Sequence, residues 1–93
     1  MNLYLISQSV NNNWDTYDSA VVAAESVEEA RVTYPGNSDY KWSGSQWMWH
    51  LSDGRVMKAC PSSWTTPDNV LVEFLAENYD GPAGTVCASF NAG

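Results

Sequence analysis

The sequence predicts one α+β domain spanning residues 1–93, a mostly antiparallel sheet of about five strands with one short helix, about residues 26–34, packed on it. Three observations carry that reading. Short β-prone runs recur with turn residues between them, one capping box opens a helical repeat that Pro35-Gly36 closes, and Asp53-Gly54 sits between two runs of strand character. A chain of this length supports one core, burying somewhat over ~60% of the surface that the unfolded chain exposes.

Leu3-Tyr4-Leu5-Ile6-Ser7-Gln8 is β-prone and runs into Asn11-Asn12-Asn13, whose side chains compete for backbone hydrogen bonds and favour turns. After the loop Trp14-Asp15-Thr16-Tyr17-Asp18-Ser19, the run Ala20-Val21-Val22-Ala23-Ala24 is apolar at every position, as a central strand covered on both faces would be. In Ser26-Val27-Glu28-Glu29 the Ser26 hydroxyl can accept from the Glu29 amide while the Glu29 carboxylate reaches back to the Ser26 amide. Both glutamates also suit the positive end of the helix dipole. Val27, Ala30 and Tyr34 then share one helical face, and Pro35-Gly36 ends the element.

From Asn37 to Gly44 the chain is polar, and Gln46 to Leu51 alternates as a strand. A two-residue type I′ turn at Asp53-Gly54 sets Leu51 opposite Val56, His50 opposite Met57 and Trp49 opposite Lys58. Trp49 and Lys58 are then a cation–π pair worth about 0.5–1 kcal/mol. Pro61-Ser62-Ser63 closes the second strand of that hairpin, and Trp64 to Asn69 forms a turn. Val70 to Glu77 reads as a strand with Val70, Val72, Phe74 and Ala76 on one face and Leu71, Glu73, Leu75 and Glu77 on the other. Helix is the alternative, against which the β-branched start argues. The loop Asn78 to Gly84 leads to a last strand, Thr85 to Phe90.

Eleven Asp and Glu against four Lys and Arg give a net charge of −7, which repels nucleic-acid phosphates and anionic membranes and favours a partner with a basic surface. The plain use of such charge is solubility. Mimicry of a polyanion needs carboxylates on one face, and along the sequence they are spread from Asp15 to Asp80 with no run longer than Glu28-Glu29. Leu3 to Ile6 is too short for a signal-peptide core or a membrane span, so the expected compartment is the cytoplasm. Cys60 and Cys87 are there expected as reduced thiols that serve as small core residues.

The catalytic inventory is nearly empty. His50 is the one histidine, and there is no phosphate loop, HExxH pair, CxxC pair or G-x-S-x-G elbow. The hairpin register sets His50 opposite Met57, away from Cys60, and two cysteines without histidines make no zinc site. The expectation is a protein that is not an enzyme and has no catalytic residue, metal or cofactor.

Two candidate partner-binding surfaces stand out instead. Tyr40, Trp42, Trp47 and Trp49 crowd into ten residues, and alternation gives Trp47 and Trp49 one strand face. Tyr40 and Trp42, in a serine- and glycine-containing stretch, read either as an interface or stacking platform or as a lid folded back over the sheet. In the loop before the central strand, Trp14, Asp15, Tyr17 and Asp18 set acids beside aromatics, suited to a partner or to a ligand's hydroxyl groups, or to Asx-turns.

The segment Tyr17-Asp18-Ser19-Ala20-Val21-Val22-Ala23-Ala24-Glu25-Ser26-Val27-Glu28-Glu29-Ala30-Arg31 resembles a small, uncharacterised protein family recurrent in tailed bacteriophages and prophages. Leu3 to Gln8, Pro67-Asp68-Asn69-Val70 and the terminal Ala88-Ser89-Phe90-Asn91-Ala92-Gly93 are similar to it as well, whereas Asn37 to Ser63 departs from it. The family offers no catalytic residues to carry over. The resemblance implies a non-enzymatic accessory protein acting in the host bacterial cytoplasm. Three functions are compatible: an anti-CRISPR-like inhibitor of a bacterial antiviral defence protein, held by acidic residues and the Trp-rich segment; a sponge for a nucleotide-like immune signal, stacked on Trp or Tyr at a homo-oligomer interface; and a small decoration or tail accessory protein of the virion.

Overall fold

A computed structural model describes residues 1–11, 15–36, 38–59 and 63–91, the last without its side chain. Within them the chain forms β1 (Asn2–Ser7), β2 (Thr16–Ala24), α1 (Val27–Arg31), β3 (Tyr40–Trp42), β4 (Trp47–His50), β5 (Val56–Lys58), a 3-10 turn at Pro67–Asn69, β6 (Leu71–Ala76) and β7 (Gly84–Asn91). The fold is α+β with antiparallel pairing throughout. The expected single sheet of about five strands is instead two sheets, ordered β6-β1-β2-β7 and β3-β4-β5. The strand that sequence reading missed is β3, in a stretch whose serines and glycine mask its alternation.

The large sheet owes its two faces to period-two alternation along β1 and β2. Tyr4 pairs with Val22 and Ile6 with Ala20, and these four side chains are buried together. Ala24, Val70 and, from the layer above, Ala30, Tyr34, Trp47, Ala59 and Trp64 complete the core. Leu3, Leu5 and Val21 point to the opposite face and are only half-buried. β2 is central, as its composition predicts, but it starts at Thr16, so Tyr17 and Asp18 are strand residues and not loop residues. Tertiary pairing extends it: the Tyr17 amide donates to the Ser63 carbonyl, and Tyr17 lies opposite Phe90 of β7.

The capping box forms in part. The Ser26 hydroxyl accepts from the Glu29 amide at 3.2 Å, while the Glu29 carboxylate accepts from the amide of Glu25, one residue earlier than expected. The helix is shorter than the predicted 26–34, because Thr33 leaves it to bridge Lys41 and join the small sheet. Val27 is consequently exposed, and Tyr34 reaches the core from beyond the helix end.

Asp53-Gly54 does turn the chain, with a different register. The Leu51 amide donates to the Arg55 carbonyl, the Gly54 amide to the Leu51 carbonyl, and Gly54 sits at φ +92. That is a three-residue loop of a type I turn followed by a left-handed glycine, which shifts every pair by one residue relative to the type I′ expectation. Trp49 opposes Met57, and Lys58 opposes Met48 on the other face, so the expected Trp49–Lys58 pair does not exist. Cys87 is exposed and not a core residue, and Cys60 lies outside the described residues.

Gly36 pins the turn after Tyr34 to β7, its amide donating to the Thr85 hydroxyl at 3.1 Å. Its φ is +75, and a Cβ there would stand 2.2 Å from the Tyr17 hydroxyl. Gly36→Ala should therefore lower stability by about 1–3 kcal/mol, through backbone strain and displacement of the Tyr17 ring. Thermal unfolding of that variant and of Gly36→Ala combined with Tyr17→Phe checks it: removing the clashing oxygen should restore part of the loss.

Candidate functional site

Of the residues singled out in the sequence, Tyr40, Trp42, Trp47 and Trp49 come together and Asp15, Tyr17 and Asp18 form a separate group; Trp14 lies outside the described residues. Cross-strand pairing sets Tyr40 opposite Trp49 and Trp42 opposite Trp47, so all four rings share the face that the small sheet turns toward the large one. They do not play one role. Trp47 is 5% exposed and forms the centre of a ring cluster, with Tyr34 at 5.0 Å and Trp42 at 5.3 Å between centroids, both T-shaped. Its indole N–H donates to the Thr65 carbonyl at 3.0 Å. Tyr40 packs edge-on against Tyr34 at 4.9 Å. Trp49, at 41% exposed, projects past the core beside the exposed Met57. The aromatic segment is thus chiefly the lid over the core, with half-buried Tyr40 and Trp42 at its margin.

That margin is one wall of a cleft of about 670 Å³. Tyr40, Lys41 and Trp42 line it on one side, Glu29 and Thr33 come from the helix end, and Thr85 comes from β7. The volume lies within the range of small-molecule sites, roughly 300–1,000 Å³. Its two charges are of opposite sign, so it offers aromatic surface and hydroxyls without a concentrated positive field. Asp18 lies at the far end of β2 from this cleft, roughly 17 Å from Ala23 along the strand. Tyr17 links the regions only indirectly, packed on Phe90 at 4.7 Å and beneath Gly36. Asp15 and Asp18 are exposed, and Asp15 has φ 59.

Beneath the cleft, burial pushes the Tyr34 phenol above its ordinary value near 10, opposed in part by its 2.6 Å hydrogen bond with the Ser63 hydroxyl. A raised phenol pKa means that the folded chain holds this proton more tightly than the unfolded chain. The contribution is complete below about pH 10 and declines as the pH rises from there through the higher folded value. Equilibrium unfolding between pH 8 and 11 should show this alkaline loss, and Tyr34→Phe should flatten the slope while losing about 1 kcal/mol of hydrogen bonding at neutral pH.

The third surface was not legible as a site in the sequence. β6 is an edge strand, and it exposes Leu71 (72%), Phe74 (55%) and Leu75 (45%) together with Glu73. Glu77 continues the acidic character beyond it, and α1, with exposed Glu28 and Glu29, packs beside it. Charge is segregated across the molecule. Residues 39–58 set Asp39 and Asp53 against Lys41, Arg55 and Lys58, whereas the rest of the chain sets Arg31 alone against nine carboxylates. Arg31 is turned inward, donating to the Val70 carbonyl, and Arg55 is held by Asp53 at 2.7 Å. The carboxylates therefore far outnumber the basic side chains outside the small sheet.

Among the described residues no group of three or more His, Cys, Asp or Glu side chains could hold a metal ion, and no helix is long and apolar enough to cross a membrane. In comparisons with protein families, curated proteins and solved structures, nothing matched the chain.

Proposed function

We propose that this chain is a bacteriophage accessory protein that works by binding, not catalysis, and inhibits a bacterial antiviral defence protein in the host cytoplasm. The observation that carries the binding reading is the β6 edge, where large apolar side chains stand exposed among carboxylates. An apolar centre with an acidic rim fits a partner with an apolar patch ringed by Lys and Arg. The phage and defence context rests on the resemblance of residues 17–31 and of the terminal segment. Glu73 and its neighbours take the role of acidic contact here, with Trp49 as the most exposed member of the Trp-rich segment.

Affinity capture from defence-bearing bacteria tests the proposal. The protein should retain a basic host protein, weakly at high salt, and phage expressing it should gain protection. Leu71→Glu with Leu75→Glu alters two exposed side chains and should weaken capture at least about tenfold. If no host protein is retained and phage gain no protection, the proposal is wrong.

The cleft favours a second reading, a sponge for a nucleotide-like signal, with a base against Trp42 and Lys41 near its phosphate. Glu29 and the overall charge of −7 oppose an anionic ligand. Calorimetry with cyclic nucleotides should then give heat that Trp42→Ala abolishes; no heat from the unaltered protein dismisses this reading.

A further inference from the structure

The two sheets have four edge strands, and three of them carry a charged side chain: Lys41 on β3, Lys58 on β5 and Glu73 on β6. β3 and β5 are also only three residues long, and register shifts interrupt the pairing of β6 with β1 once and that of β7 with β2 twice. These are the devices by which proteins keep sheet edges from pairing with other chains. β7 is the exception in charge and length. It is the longest edge strand, eight residues from Gly84 to Asn91, and no residue from Gly81 to Gly93 is charged. Thr85 to Phe90 are all exposed, including the apolar Val86 and Phe90. Among the described residues, every backbone hydrogen bond of β7 runs to β2 on its inner side. Among the described residues, its outer side is thus a free template roughly 26 Å long.

We infer that β7 is a self-association edge, along which a second copy of this chain adds its own β7 antiparallel about a two-fold axis. The occupant follows from charge and symmetry. At a net charge of −7 two copies repel, so a stable contact must use surface without carboxylates and must keep the acidic regions apart. An uncharged strand paired with its own symmetry mate sets no like charges opposite each other, and an isologous antiparallel pair is self-complementary by construction. β6, with Glu73, lies at the other edge of the sheet, about 14 Å from β7 across three strand spacings. Joining copies through β7 therefore places the two β6 edges at the far ends of a continuous eight-stranded sheet, with Asp18 on the strand next to β7 as the nearer carboxylate to the seam. The alternative, packing of the open faces of Leu3, Leu5 and Val21, also buries apolar surface, but it brings Glu73 of each copy into the contact.

Sedimentation velocity on the full chain tests this. The expected result is a species of twice the 10.3 kDa chain mass. Raising salt should tighten the dimer by screening the repulsion, the opposite sign to capture of a basic partner at β6, so the two proposals fail separately. Cys87 pairs with Val21 and is exposed near the middle of β7, and Cys87→Glu should shift the species to monomer at the same concentration. Leu71→Glu, on the open face but at the far edge, should leave the dimer intact. Hydrogen exchange of the unaltered protein gives a readout independent of any variant: amides between Thr85 and Phe90 should gain protection as protein concentration rises. A chain that stays monomeric at every concentration overturns the inference. So does dissociation by Leu71→Glu as complete as that by Cys87→Glu, or β7 exchange that does not change with concentration.

Discussion

Trp47→Ala is expected to lower stability by about 3–5 kcal/mol, the cost of removing a large buried aromatic whose site cannot collapse. The indole is 5% exposed, its ring meets Tyr34 and Trp42 edge to face, and its N–H is satisfied by the Thr65 carbonyl. Truncation removes the ring that joins the two sheets and leaves that carbonyl without its donor. For a domain of this size each kcal/mol corresponds to roughly 4–8 °C at the midpoint. Thermal or urea unfolding should therefore show either a very large downward shift or no cooperative transition at all. Trp49→Ala is the control: the same residue type two positions away is 41% exposed, and its loss should cost under about 1 kcal/mol. Similar losses for the two variants would show that the small sheet does not pack as described.

Gln8→Leu is expected to cost about 2 kcal/mol although no apolar contact is lost, because it orphans partly buried backbone groups. The Gln8 side chain is 6% exposed and uses its whole amide. Its Nε2 donates to the carbonyls of Asn11 and Tyr17, both at 2.8 Å, and its Oε1 accepts from the amides of Val10 and Asn11 at 3.0 and 2.8 Å. The Asn11 side chain in turn donates to the Trp64 carbonyl, so one amide fixes the exit of β1 and ties it to the segment before β6. Gln8→Glu should not rescue: it keeps the acceptor but turns a carboxylate toward two carbonyl oxygens. Urea unfolding of both variants decides the matter, and a Gln8→Glu protein as stable as the unaltered one would refute this account of the amide.

Gln8 also marks a limit of sequence reading. It looks like the polar end of a strand, and nothing local says that its four hydrogen-bond sites will converge on a loop and a neighbouring strand. The same holds for Thr16, read as a loop residue but buried as the first residue of β2, and for β3, whose three residues become a strand only because β4 and the Thr33 bridge meet it. The hairpin register failed for a different reason. Asp-Gly serves both a two-residue and a three-residue loop, and the burial of Trp47 and Ala59 favours the longer one.

What the sequence determined by itself is what local chemistry controls. The α+β class, the central position of β2, the helix start at Ser26 and the two faces of residues 70–74 follow from side-chain periodicity and capping, which act within a few residues; the register shift that sets Ala76 opposite Leu3 does not. Tertiary structure alone decided which of four like aromatic side chains is core and which is surface, because Trp47 and Trp49 share a strand face and differ only in how far the small sheet overlaps the large one. It also decided where the charge lies. The elements that carry Glu28, Glu29 and Glu73 come together only through the strand order β6-β1-β2-β7 and the packing of α1 on β6, since proximity in a sheet depends on which strands pair and not on their separation in sequence.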